Sequence, residues 1–183
     1  MIQDLYENLR EFAEYAAGHA ADTYLSLYLL TDPADPENQS QTPAWQIYLK
    51  NAVNSIEEDL DPVQTKQWKN VRLSDEDPDK DWARIRKRLD KYITSYRPEG
   101  KSLALFISPG GEHRFELPVA LTNTHYFGQP HIQEILWALD EYQQHLVLLF
   151  AEDQTRALLV ALGSTGADAT VTSDQAWMRK QRK

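Results

Sequence analysis

Arg84, Lys87, Arg88 and Lys91 stand three and four positions apart, so on a helix they form one cationic stripe. Guanidinium and ammonium groups in such a stripe could grip an RNA backbone, because phosphate neutralisation supplies most sequence-independent affinity. A second explanation competes with this one: a helix with an apolar stripe carries its charges on the opposite side, where nearby acids pair with them at helical spacing. The terminal cluster Arg179, Lys180, Arg182 and Lys183 is a weaker candidate of the same kind. The net charge of -9 opposes general attraction to nucleic acid, so any phosphate contact has to be local.

Other chemistry finds less support. His19, His113, His125, His131 and His145 form no His-x-x-x-His or His-Glu-x-x-His pair that would bring two imidazoles onto one metal. Only His125 and His131 are close, across a loop with Gly128 and Pro130, and surface or capping roles are expected for all five. No metal or other cofactor is expected. Asp75, Glu76, Asp77, Asp79 and Asp81 lie in a polar run without the apolar surroundings that raise a carboxylate for acid-base work. Acids before a helix are accounted for by its dipole. Gly163-Ser164-Thr165-Gly166 lacks the nucleophile-elbow spacing, and no phosphate loop or dinucleotide fingerprint occurs. With no cysteine, thiol catalysis, disulfides and thiolate metal sites are excluded. No residue qualifies as catalytic.

The elements that must position these groups are legible from periodicity. The chain has 183 residues, 42% apolar and 26% charged, enough to build a core. No apolar run approaches the length of a membrane span and the N-terminus lacks a signal pattern, so a cytoplasmic location is expected. Ile2, Leu5, Leu9, Phe12 and Ala16 predict a helix over residues 3–17, with Gly18 as its C-cap. Residues 23–30 predict a largely buried strand, and 32–42 a loop. Trp45, Leu49, Ala52, Ile56 and Leu60 mark a second helix, with Thr42 as N-cap and Pro43 in its first turn. Trp82, Ile85, Leu89, Tyr92 and Tyr96 form the apolar face of a third, the one carrying the cationic stripe. Two strands follow around Pro109-Gly110-Gly111-Glu112, then a helix through Ile132, Ile135, Leu136, Leu139 and Tyr142. A second hairpin joins 146–151 to 157–162. The remainder, from Gly163 onward, is expected to be loosely ordered.

Three blocks carry a family resemblance. Residues 23–33, Thr-Tyr-Leu-Ser-Leu-Tyr-Leu-Leu-Thr-Asp-Pro, resemble the first strand of the bacterial relatives of archaeo-eukaryotic peptide-chain release factors. The hairpin from Ser102 to Pro118 is similar to the family's first-domain sheet. His125-Tyr-Phe-Gly-Gln-Pro-His-Ile resembles its link to the next helix, and residues 136–162 resemble the start of its second domain. The resemblance covers roughly residues 20–163 and rests on pattern and order. It implies a ribosome-associated protein with an α/β domain followed by an RNase-H-like domain. A Gly-Gly-Gln loop in that second domain would help water attack peptidyl-tRNA, but this sequence contains no Gly-Gly-Gln. Gly110-Gly111-Glu112 is no substitute, because a hairpin turn explains its glycines.

The expected fold class is α/β (α+β): a two-layer first domain over 1–128, a linker helix and first hairpin of a truncated second domain over 129–163, and a flexible basic tail over 164–183. The leading functional expectation is a non-catalytic, translation-associated domain that binds ribosome or tRNA. The alternatives are a protein-interaction module without RNA contact and an independent hydrolase. A homodimer is expected through Leu146, Leu148, Phe150 and Leu159, because both hairpin strands are apolar on both faces and two strands cannot bury themselves.

Overall fold

The computed structural model describes residues 2–19, 22–60, 78–143, 145–161 and 164–172. Helix α1 (Ile2–Gly18) precedes strand β1 (Tyr24–Leu30), a 3-10 turn (Pro36–Gln39), and helices α2 (Ala44–Leu60) and α3 (Pro78–Ser95). Strands β2 (Ser102–Ile107), β3 (Glu112–Leu117) and β4 (Thr124–Gly128) then lead to helix α4 (Gln133–Glu141) and strands β5 (His145–Phe150), β6 (Gln154–Ala161) and β7 (Ser164–Thr172). The class is α/β in the α+β sense, since every strand pair is antiparallel.

The main sheet has the order β3-β2-β1-β4, and its two central strands explain why residues 24–30 show no polar alternation. Leu25, Leu27 and Leu29 of β1 lie opposite Ile107, Leu105 and Leu103 of β2 and pack against Trp45, Leu49, Ile56, Ile85 and Leu89 of α2 and α3. Tyr24 and Tyr28, on the other face, join Ala104, Phe106, Phe115 and Leu117 beneath Leu9 and Phe12 of α1 and Ile135 and Ala138 of α4. A strand covered on both faces is apolar throughout. The first unit therefore has three layers, a correction to the two expected, because α1 and α4 cover the face that α2 and α3 leave open.

Two strands correct the sequence-based boundaries. The segment from His125, expected as a link, is the edge strand β4, pairing with β1 at Leu25↔Phe127 and Leu27↔His125. Residues 164–172, expected to be flexible, form β7 and complete a second sheet of order β5-β6-β7. The apolar hairpin is thus extended by a third strand and stays separate from the main sheet. Helix α4, expected as a bridge to a second domain, buries Ile135 and Ala138 fully in the first core.

Local chemistry differs at two caps. Gly18 has no left-handed φ. Instead His19 Nδ1 donates to Tyr15 O at 2.8 Å, closing the end of α1 with an imidazole. At the start of α2, the Trp45 amide donates to Asn38 Oδ1 at 3.4 Å, so the 3-10 turn supplies the acceptor expected from Thr42. Buried serines are satisfied as the cost of burying a hydroxyl requires: Ser26 Oγ accepts from the His131 amide at 3.0 Å and Ser102 Oγ from the Leu121 amide at 2.7 Å.

Candidate nucleic-acid interface

Helix α3 is positioned by burial. Ile85 and Leu89 are fully enclosed, and Trp82 and Tyr92 nearly so; Trp82 meets Phe127 of β4 edge-on at 5.5 Å between ring centroids. With that face fixed inward, Arg84, Lys87, Arg88 and Lys91 fall on the outer side and the adjoining flank. The stripe runs along α3 toward the β2–β3 turn.

Its four charges are not equivalent. Arg84 is exposed, with Nη1 3.9 Å from the carboxylate of buried Asp81. Lys87 is exposed. Arg88 is half-buried and its Nη2 lies 3.5 Å from Pro109 O in the β2–β3 turn. Lys91 forms an ion pair with Glu112 of β3 and lies 5.1 Å from the centroid of the Tyr92 ring. Arg86, outside the stripe, turns toward Glu57 of α2 at 3.5 Å and also pairs with Asp90. Among the described residues, Lys87 and Arg88 have no carboxylate within ion-pair distance. The acidic run at 75–77 and the terminal cluster Arg179, Lys180, Arg182 and Lys183 lie outside the described residues.

At its C-terminal end the stripe borders a depression lined by Lys91, Tyr92, Tyr96, Arg97, Glu112 and Arg114, among others. Here alternation along β3 turns Glu112, Arg114 and Glu116 toward α3, since they pair with Ile107, Leu105 and Leu103. Tyr96 donates to both Glu116 oxygens at 2.8 and 2.9 Å. Burial raises the Glu116 carboxyl, against the lowering effect of the Tyr96 hydrogen bond and Arg114. Burial also pushes the Tyr92 phenol up to about 12, helped by Glu112. Both phenols remain neutral donors at physiological pH, so this end of the stripe is a hydrogen-bonded network in which Tyr92 and Tyr96 hold Glu112 and Glu116, while Glu112 Oε2 is buried without a partner among the described residues. Helical spacing does not reveal this network, because Arg114 and Arg97 belong to no helical repeat; the signal available was the period-two alternation of β3.

No protein-family model and no curated protein sequence matches this chain.

The remaining candidates are kept apart by the fold. His125 Nδ1 is 2.9 Å from Tyr48 Oη on the α2 side of the sheet. His131 stacks on Tyr126 at 3.7 Å and places Nε2 3.2 Å from Glu134 Oε2 on the α4 side. The two imidazoles nearest in sequence thus face opposite sides of β4. His113 packs between Phe12 and Tyr15, at 4.7 and 4.8 Å, and His19 caps α1. Gly110 and Gly111 close the β2–β3 turn, where the Ser108 amide donates to Gly111 O at 2.8 Å. No group of three or more metal-ligating side chains occurs among the described residues, and no helix among them is long and apolar enough to cross a membrane.

Proposed function

We propose that this chain is a non-catalytic, translation-associated domain of release-factor type that holds RNA phosphates, on the ribosome or tRNA, with the outer face of α3. The observation that carries this reading is the pair Lys87 and Arg88: adjacent cations with no carboxylate partner among the described residues, flanked by Arg84 and Lys91. An ion pair already satisfied within the fold releases few counterions on meeting phosphate, so the two open charges dominate and the flanking pair contributes less. The arrangement supplies orientation and attraction. The resemblance to release factors supports the same assignment, and a separate sheet begins after α4, near where that resemblance has a second domain start.

Co-sedimentation of the purified chain with ribosomes tests it. Lys87→Gln with Arg88→Gln is expected to weaken binding about ten-fold, since each phosphate left without its cation costs affinity at any sequence. Undiminished pelleting of the double variant would exclude α3 as the binding face. A protein-interaction role without RNA contact is the second reading, favoured by the exposed Leu146, Leu148 and Phe150 of the β5-β6-β7 sheet.

A further inference from the structure

Neither core cluster includes a residue of the β5-β6-β7 sheet. Its two faces differ in a way the register makes plain, since directly paired antiparallel residues share a face. On one face Leu146 stands opposite Leu159, Leu148 opposite Ala157, and Phe150 opposite Thr155; β7 adds Ala169 beside Ala157 and Val171 beside Thr155. This face holds no charged residue. On the other, Val147 and Leu149 share space with Arg156, whose Nε donates to Asp168 at 2.9 and 3.1 Å. That ion pair gives the second face a polar centre that water can satisfy.

The uncharged face is also shaped. Leu146, Leu148 and Phe150 form a ridge along β5, exposed by 65%, 46% and 76%. Ala157 and Ala169, paired across β6 and β7, make a low row running out from Leu148, with Leu159 on one side of it and Thr155 and Val171, the latter 69% exposed, on the other. The described segments of this chain leave the face uncovered, and such an area is unfavourable to keep wet. We propose that a second copy of the chain covers it, related by a two-fold axis that sets the β5 ridge of each copy against the low Ala157–Ala169 row of the other. Self-association fits because the face has no charge pattern to select a different partner, and a two-fold contact matches ridge to row twice. The exposed ridge, row and Val171 offer roughly 600 Å² per copy, so the pair reaches about 1,200 Å², the lower limit for a specific stable interface.

Sedimentation velocity of the full chain across micromolar concentrations tests the interface. The wild type should be a dimer, and Leu148→Asp or Phe150→Asp should weaken it at least about ten-fold. Ala169→Phe adds apolar area but fills the low row, so it should also weaken the dimer about ten-fold, an outcome that indiscriminate apolar sticking would reverse. Arg156→Gln, on the opposite face, should leave the dissociation constant unchanged. Unaltered thermal unfolding of the main-sheet core in each variant separates loss of association from loss of fold. A wild type that stays monomeric across this range would overturn the proposal, whether its face binds a hydrophobic dye or is covered from within its own chain. So would open-ended aggregation, or an Ala169→Phe dimer as tight as the wild type.

Discussion

Gly100 is required by close approach of backbone rather than by a turn. A Cβ there would lie 2.7 Å from Leu117 O, and that carbonyl is held in place by the Lys101 amide at 2.9 Å. The carbonyl cannot swing aside as a flexible side chain would, so Gly100→Ala should destabilise the fold by about 1–3 kcal/mol, read as a lowered denaturant midpoint with an unchanged slope. His113 makes a second prediction. Burial holds its imidazole below the ordinary value near 6.5, so the unfolded chain takes up this proton more readily than the folded one. Stability contributed by neutral His113 is complete above that ordinary value and is lost as pH falls through it. The melting temperature of the wild type minus that of His113→Phe should therefore fall between neutral and mildly acidic pH. A difference that stays flat or rises would contradict the burial argument.

At the scale of elements, burial decides the architecture and charge decorates it. Leu105 is fully enclosed at the centre of the sheet, and Leu105→Ala should cost about 2–5 kcal/mol. The Arg86–Glu57 pair linking α2 to α3 is partly solvent-exposed at 3.5 Å; Glu57→Gln should cost no more than about 1 kcal/mol. Chemical denaturation of the two variants checks that order, and equal losses would show the pair to be structural. The same distinction explains what was legible in the sequence. Helical spacing at Trp45–Leu60 and Trp82–Tyr96 and the apolar run 24–30 announce their elements, because each buries a continuous face. Strand β4 was hidden because Thr124–Gly128 is short and, at a sheet edge, only partly buried except at Gly128, and β7 because its small polar residues carry no amphipathic pattern. The third layer was illegible for a different reason: an antiparallel strand apolar on both sides does not say which helices cover which face. At the candidate site, the four cations were legible from spacing alone, but Asp81 and Glu112 as partners required the helix to be seated on the sheet.

For the whole molecule, the net charge of -9 opposes RNA at long range, so binding through α3 has to act within about a Debye length, on the order of 10 Å at moderate salt. Association should therefore be weak at high ionic strength and gain steeply as salt is lowered, through one face of one helix. Purified tRNA titrated with the full chain across a range of salt concentrations measures this directly. The logarithm of the binding constant should fall linearly with the logarithm of salt, and Lys87→Gln with Arg88→Gln should flatten that slope by about 0.7–0.9 for each phosphate no longer neutralised. Binding that is absent at low salt, or that is independent of salt and of these two residues, would contradict the assignment of α3 as a phosphate-binding face.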